Sequence, residues 1–322
     1  MQVVRNNVTC FWSAALIGLL FSSVGCSKGS SSGAATGSDR DGSEGKPLVV
    51  VLIPTETGSR SVLDDYAPLF HAIKRTHGIH FDLKMGESYN GVIESMVAGH
   101  VDIAFLGAVT FDEAKRRGAA ELLAVEETKG TSVYYSGIFH RADSGMTGLK
   151  DLKGKSIALG DPKSTSSFRY PVAMLKAAGI DPPNDVGKIV MAKSHSGALE
   201  QLESGHVDAA GVSLNAFDKV VESGAVDGKQ VALLAKSDPI PSPPLAMHTG
   251  LSADVKARLK KAFHSIHRAE GVTKEMILGY GGKKVDRYNT EFDVKIFDQA
   301  MQKLSVVSAD LISEIIDKAG RR

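Results

Sequence analysis

A run of hydroxyl side chains near the middle of the chain is the strongest candidate for chemistry. Residues 164–167 read Ser-Thr-Ser-Ser, and they lie between an apolar strand pattern at residues 156–160 and a helical pattern that begins at Tyr170. Backbone N–H groups are unpaired at the start of a helix, and the helix dipole favours negative charge there. The run therefore predicts a turn that binds an anion, with a simple helix cap as the alternative.

A repeated pattern places two further side chains at helix starts. Residues 89–104 align without gaps on residues 195–210, and both copies contain the segment Gly-His-Val-Asp. Each copy has the pattern of a helix, a glycine turn, a buried strand and a second helix. Two copies this far apart do not form a solenoid and instead indicate two similar lobes. Tyr89 and His195 occupy the same position in the two copies, so both are predicted to face one cleft.

Short β-branched segments alternate with helical patterns through the body of the chain, which predicts an α/β fold. We expect two lobes, each a mixed sheet flanked by helices, with the ligand in the cleft between them. A long strand over residues 132–140 is predicted to cross between the lobes, and the proline-rich segment 237–244 is predicted to return. The first lobe would then comprise residues 47–139 and 245–322, and the second lobe residues 140–244.

The composition is that of an ordinary globular protein. The chain has 322 residues, of which 43% are hydrophobic and 23% are charged, and its formal net charge is +1. These values argue against wholesale disorder, collagen and a multispanning membrane protein, and they give no basic field that would attract nucleic acid. Both cysteines, Cys10 and Cys26, lie near the N-terminus, so no disulfide framework or thiolate metal site is expected in the body. We expect neither a cofactor nor a metal.

The N-terminal residues have the order of an export signal. Residues 1–25 contain one charge, Arg5, then an apolar run, and then small residues ahead of Cys26. That order predicts a secretory signal peptide, and the apolar run is too short for a spanning helix. Cys26 resembles the lipid-modified cysteine of bacterial lipoproteins, and the alternative is a plain signal cleaved nearby. Residues 26–46 are rich in Ser and Gly and predict a flexible tether. We therefore expect the protein in the periplasm or on the outer face of a bacterial membrane.

Several segments together resemble the periplasmic phosphonate- and phosphite-binding proteins of ABC importers, which have the type II periplasmic-binding-protein fold. The most distinctive segment is Asp-Pro-Lys-Ser-Thr-Ser-Ser at residues 161–167, with Pro171 behind it and His195 further along. The other similar segments are residues 88–93, 101–107, 149–155 and 237–241. The resemblance covers nearly all of residues 47–305.

The resemblance implies a protein that closes on a small phosphorus oxyanion and does not catalyse a reaction. In that family the Ser-Thr-Ser turn and the histidine grip the phosphorus-bound oxygens, and a tyrosine of the first lobe closes over them. The predicted ligand-binding residues are Tyr89, Gly107, Ser164, Thr165, Ser166, His195 and Ser213. The implied partners are a membrane permease and its ATPase, and the chain is expected to be a monomer.

Two positions indicate which ligand the site would take. Asn215 and Pro243 stand where aminophosphonate-binding relatives are expected to have acidic residues for the ammonium group of the ligand. An aminoalkyl ligand would lose its counter-charges here. The resemblance therefore favours phosphite, phosphate or a simple alkylphosphonate such as methylphosphonate.

Two functions of other classes stay open on the sequence alone. A receptor with the same two lobes could report its ligand to a membrane kinase instead of supplying a permease. An esterase could use Ser164 and His195, but no Gly-x-Ser-x-Gly elbow surrounds Ser164, which disfavours that reading.

Overall fold

The computed structural model describes residues 39–53 and 59–321. The predicted signal peptide, Cys26 and the first part of the predicted tether lie outside the described residues. Within the two described ranges, no helix combines the length and the apolar character needed to span a membrane.

Strands and helices alternate along most of the described chain. The strands are β1 Leu48–Leu52, β2 Phe81–Met85, β3 Ile103–Phe105, β4 Ala120–Glu127, β5 Val133–Tyr134, β6 Ser136–Arg141, β7 Ser156–Gly160, β8 Lys188–Lys193, β9 Ala209–Ser213, β10 Val231–Lys236, β11 Ile240–Pro241, β12 Pro244–His248 and β13 Arg287–Asn289. The helices are α1 Ser59–His77, α2 Tyr89–Val97, α3 Ala108–Arg116, α4 Tyr170–Ala177, α5 Pro182–Asp185, α6 His195–Glu203, α7 Leu214–Glu222, α8 Ala253–Ser265, α9 Lys295–Lys303 and α10 Ala309–Gly320.

Six strands form the sheet of the first lobe, in the order β13-β4-β12-β3-β1-β2. β1 is a continuous apolar strand that pairs in parallel with both β2 and β3, while β12 runs antiparallel between β3 and β4. Helices α1 and α8 cover one face of the sheet, and α2, α3 and α9 cover the other. Coverage on both faces explains why β1 lacks the polar alternation of a half-exposed strand.

Five strands form the sheet of the second lobe, in the order β10-β6-β9-β7-β8. β7 pairs in parallel with β8 and β9, and β6 runs antiparallel to β9 and β10. Helices α4 and α10 pack on one face, and α6 and α7 pack on the other. Two mixed sheets, each flanked by helices, confirm the predicted α/β fold class.

The chain passes between the sheets through a short two-stranded ribbon. β5 pairs antiparallel with β11, with Tyr134 opposite Ile240. The single strand predicted over residues 132–140 is instead interrupted before Ser136, and β6 belongs to the second sheet. The predicted lobe boundary at residue 139 is therefore too late, because the ladder hydrogen bonds of β6 go to β9 and β10.

The C-terminal helix α10 packs on the second lobe, which corrects the assignment of all of residues 245–322 to the first. Leu311 and Ile315 on its apolar face are buried in the cluster that contains Ile157 of β7 and Ile189 of β8. The helix buries its apolar stripe there because α4 and α5 leave that part of the second sheet for it to cover.

A third passage of the chain between the lobes follows from this packing. Residues 304–308 connect α9, which packs against α3, to α10 on the second lobe. Leu304 lies in a small buried cluster with Tyr134, Tyr170 and Ile240. Each of the three passages thus contributes one side chain to this cluster, and α4 contributes Tyr170.

The last part of the predicted tether is folded onto the first lobe. The amide of His80 donates to the carbonyl of Gly42 at 2.8 Å. Arg40 pairs with the fully buried carboxylate of Asp102 at 2.5 Å. The prediction of a flexible tether is therefore wrong for residues 39–46, because composition does not reveal partners that lie far away in the sequence.

Candidate functional site

The predicted anion-binding turn follows β7 and leads directly into α4. The hydroxyl oxygen of Ser164 accepts hydrogen bonds from the amide of Ser167 at 3.1 Å and from its hydroxyl at 2.7 Å. Thr165 begins a π-type helical turn, Thr165–Arg169, that continues into α4. The four hydroxyl residues are buried, with at most 3% of their surface exposed. A cap and an anion site are compatible at Ser164, since a hydroxyl that accepts can still donate its own proton.

Close packing against the end of β7 fixes the position of this turn. A Cβ atom at Gly160 would lie 2.0 Å from the hydroxyl oxygen of Ser167, so only glycine permits the approach. On the side of the second sheet, the hydroxyl of Ser136 donates to the carbonyl of Ser166 at 2.6 Å. The turn is therefore held by its own lobe through backbone and neighbouring side chains.

His195 is the first residue of α6, directly after the N-cap Ser194, whose hydroxyl accepts from the amide of Gly197 at 3.1 Å. The imidazole is 1% exposed, and its Nδ1 accepts a hydrogen bond from the amide of Ser213 at 2.9 Å. Because Nδ1 accepts, the ring carries its proton on Nε2 and presents a donor there. The structure thus joins two of the predicted site residues, His195 and Ser213.

The first lobe contributes Tyr89 and Gly107. Tyr89 is the first residue of α2, and the hydroxyl of the N-cap Ser88 accepts from the amide of Gly91 at 3.0 Å. Tyr89 is 4% exposed and packs in the same apolar cluster as Ala108, the residue after Gly107. Gly107 is itself the N-cap residue of α3. Both residues therefore lie at helix starts of the first lobe.

Thr165 meets the first lobe directly. Its hydroxyl oxygen accepts a hydrogen bond from the amide of Val109 at 3.1 Å. A Cβ atom at Gly107 would lie 3.0 Å from the same oxygen, which is tighter than an ordinary contact. The lobes are therefore closed on one another at the turn, and the absence of a side chain at Gly107 permits that contact.

The cations beside the turn are engaged by other groups. Lys163 pairs with Glu113 of α3, with Nζ at 2.7 and 2.8 Å from the two carboxylate oxygens. Arg169 donates to the carbonyl of Pro162 at 2.7 Å, and burial lowers the pKa of its guanidinium below the ordinary value. The lysine and the arginine nearest to the turn are thus both engaged by groups of the protein. In the described ranges, no group of three His, Cys, Asp or Glu residues is placed to hold a metal.

Asn215, singled out in the sequence for its lack of charge, is the second residue of α7. It lines a cavity of about 510 Å³ together with Asp65 of the first lobe and Asp218 and Lys219 of α7. Burial, and to a smaller extent the charge of Glu222, raises the pKa of Asp218. One carboxylate, Asp218, therefore lies one turn of helix beyond Asn215, and lysines line the same cavity. Pro243 is in the passage between β11 and β12.

A larger cavity, of about 730 Å³, lies along α4 and beside Leu304, and none of the predicted ligand-binding residues lines it. Cavity size alone therefore does not point to the predicted site. Sequence reasoning did not find the contacts of Val109, Glu113 and Ser136 with the turn. Nothing in the local sequence signals them, because each partner lies at least 30 residues away.

Comparison with known proteins tests the family resemblance seen in the sequence. A family model for the periplasmic substrate-binding protein of phosphonate ABC transporters matches residues 50–283. The chain is 30% identical over 246 residues to the phosphate-import protein PhnD of Mycolicibacterium smegmatis, a match that covers 71% of this chain and 76% of that protein. The resemblance seen in the sequence is confirmed.

Two solved structures share the fold. A binding protein component of an ABC phosphonate transporter from Pseudomonas aeruginosa has a TM-score of 0.70 at 20% identity, over 85% of this chain and 96% of the other. PhnD1 from Prochlorococcus marinus, in complex with methylphosphonate, has a TM-score of 0.69 at 14% identity, over 81% of this chain and 98% of the other. Together with the family match, the shared two-lobed fold identifies the chain as a member of the periplasmic substrate-binding proteins of phosphonate ABC transporters.

Proposed function

We propose that the chain captures phosphate, phosphite or methylphosphonate between its lobes and delivers the anion to the permease and ATPase of an ABC importer. The observation that carries the proposal is a run of four buried hydroxyl residues at a helix start, in contact with the opposite lobe. The M. smegmatis relative is a phosphate-import protein, and the P. marinus neighbour holds methylphosphonate. Both names are consistent with a small phosphorus oxyanion.

The hydrogen bonds within the turn orient its hydroxyl protons. Ser164 Oγ accepts two hydrogen bonds from Ser167, and Thr165 Oγ1 accepts one from Val109. Each of these oxygens is occupied as an acceptor, so its own proton is left to donate to an anion. Ser166, the adjacent amides and Nε2 of His195 would add further donors, and Tyr89 would close over the ligand from the first lobe.

Neutral donors are sufficient for the affinity that an importer needs. A dissociation constant between micromolar and nanomolar corresponds to about 8 to 12 kcal/mol. A hydrogen bond to a charged group contributes roughly 1.5 to 3 kcal/mol, so about six donors reach this range after the cost of immobilising the ligand. Closure of the lobes excludes water and strengthens each of these hydrogen bonds.

The proposal extends to the N-terminal residues. The signal pattern of residues 1–25, followed by Cys26, supports export and attachment of a lipid at Cys26. The tethered protein would remain a monomer on the outer side of the membrane, beside its permease. Mass spectrometry of the membrane-extracted protein would detect the lipid, and a Cys26→Ser variant would be released in soluble form.

Calorimetric titration of the exported chain tests the ligand. We expect stoichiometric binding of at least one of phosphate, phosphite and methylphosphonate, and no comparable binding of sulfate. Ser164→Ala and His195→Ala should each weaken binding at least about tenfold, since each removes a hydrogen bond to a charged group. Ser204→Ala is a matched control, because Ser204 is exposed at the far end of α6, and its hydroxyl bonds only to the carbonyls of Glu200 and Gln201 and to Nδ1 of His206. Unchanged affinity in both site variants would contradict the proposed site.

A further inference from the structure

Besides the exposed pair of Lys303 and Asp238 beside the passages between the lobes, two partly buried ion pairs join the lobes, one at α3 and one at α1. Glu113 of α3 pairs with Lys163 at 2.7 Å, and Asp65 of α1 pairs with Lys219 of α7 at 2.6 Å. The four side chains are between 25% and 29% exposed. They are therefore partly shielded from water, unlike most ion pairs at a protein surface.

The two pairs have the same polarity. In each, the carboxylate belongs to the first lobe and the lysine to the second. Each lobe therefore presents two like charges to the other, and these charges match only when the lobes come together in one relative orientation. Separated lobes would leave all four groups without these partners, so the pairs favour closure.

One pair is adjacent to the proposed ligand turn. Lys163 directly precedes Ser164, and Glu113 lies on the same helix as Val109, whose amide donates to Thr165 at 3.1 Å. The lysine nearest to the turn is thus engaged by the opposite lobe and is not directed at the ligand. Its charge contributes to closing the lobes over the turn.

We propose that Glu113–Lys163 and Asp65–Lys219 form a closure latch, whose members are positioning residues for the ligand. This inference rests on the proposed function. A ligand that needs both lobes has an apparent affinity that is proportional to the fraction of chains able to close. The latch raises that fraction, and because ion pairs are screened by salt, it makes capture of the anion sensitive to ionic strength although the ligand donors are neutral.

Carboxamide variants test the latch without a change of side-chain size. Glu113→Gln and Asp65→Asn should each weaken the binding of methylphosphonate or phosphate by about two- to fivefold, the range measured for single ion pairs, and the double variant by about tenfold. Asp298→Asn is the matched control, because its partner Lys115 is also on α3 but both members of that pair, 2.8 Å apart, belong to the first lobe. That control should bind as the unmodified chain does.

The salt dependence of anion binding separates a latch from a merely structural role, because residues with only a structural role would leave that dependence unchanged. Between about 50 and 500 mM sodium chloride, where screening becomes short-ranged, the unmodified chain and Asp298→Asn should lose affinity more steeply than the double variant. Small-angle X-ray scattering should show a larger radius of gyration for the double variant at low salt. Equal salt slopes and equal radii in the double variant and the unmodified chain would overturn the latch.

Failure of the proposed function can be distinguished from failure of the latch. If the unmodified chain binds none of phosphate, phosphite and methylphosphonate, the ligand assignment fails, while scattering still compares closure of the unmodified chain and the double variant. A radius of gyration that grows with salt only in chains with an intact latch would then support it. Radii unaffected by salt and by the substitutions would contradict it.

Discussion

The two copies of the internal repeat are built alike and are used differently. In each, a serine caps a helix whose first residue is a buried ring, Tyr89 or His195. In each, an aspartate accepts the backbone amide of a neighbouring strand at 2.8 Å, Asp102 from Val49 and Asp208 from Ser156. The shared Gly-His-Val-Asp segment thus has one structural role in both lobes.

The copies diverge where they reach the cleft. The second lobe has Ser213, whose amide fixes the ring of His195, and it carries the hydroxyl turn. The first lobe has Gly107 at the matching position, against Thr165. The second lobe therefore supplies most of the polar contacts proposed for the ligand, and the first lobe supplies Tyr89 and, at Gly107, a position whose lack of a side chain lets the lobes meet.

The largest difference between the two copies should appear in how much each aspartate contributes to stability. Asp102 is fully buried and pairs with Arg40, so Asp102→Ala should lower the free energy of unfolding by about 3 to 5 kcal/mol. Asp208 is only partly buried and bonds to the neutral Ser156, so Asp208→Ala should cost about 1 to 3 kcal/mol. Urea unfolding of both variants measures the difference, with Asp82→Ala as control, because the side chain of Asp82 is 47% exposed and pairs only with the exposed Lys84. Equal losses would show that the two aspartates are equivalent.

The next largest difference between the lobes should appear in the pH dependence of stability. Glu126 of the first lobe is 3% exposed, and burial raises its pKa to about 7 from an ordinary 4.5. Between these values the folded chain holds a proton that the unfolded chain has lost, so stability falls as the pH rises, by up to about 3 kcal/mol. Asp208 has the opposite sign: burial would raise its pKa, but hydrogen bonds from Ser156 outweigh burial and lower it, so its contribution is lost in acid.

Glu126→Gln should remove that decline. The glutamine can still accept the hydrogen bond that the amide of Tyr280 donates at 2.6 Å. Between pH 4.5 and pH 7 the thermal midpoint of Glu126→Gln should then fall less with rising pH than that of the unmodified chain, whereas Asp208→Asn should keep the slope of the unmodified chain in this range. A slope that survives in Glu126→Gln would assign the titration to another group.

The smallest predicted effect is on anion binding, at Gly107, where the first copy differs from Ser213 of the second. Gly107→Val would place a branched side chain against Thr165, only in the closed form, and should weaken anion binding about tenfold through overpacking. The thermal midpoint of the ligand-free chain should change little. Gly148→Ala, where a Cβ atom meets nothing within 4 Å, serves as control. Unaltered titrations for Gly107→Val would mean that the lobes need not meet there.

Local patterns in the sequence predicted much of this molecule. Alternation of apolar strands and helical segments gave the α/β class, and the repeat placed Tyr89 and His195 at helix starts, where capping serines hold them. The hydroxyl run predicted a turn that the structure confirms as a buried helix start. Periodicity and capping are local properties, so a single sequence contains them.

Contacts between distant segments were not predictable in the same way. Arg40 reaches Asp102, α10 crosses to the second sheet, and Glu113 meets Lys163. Each depends on where other elements have already packed. Composition suggested a tether for residues 39–46, and chain order suggested the first lobe for α10, but neither observation contains the position of the partner.

The cluster of Tyr134, Tyr170, Ile240 and Leu304 has a mechanical consequence. A body attached to another by one peptide segment can turn in any direction, and attachment by three segments that share a common apolar contact leaves rotation about essentially one axis. Such an attachment restricts twisting of the lobes, so Thr165 should return to the same place against Gly107 whenever the lobes close. Truncation of the chain before Leu304 should loosen this axis even though none of the proposed ligand-binding residues is removed.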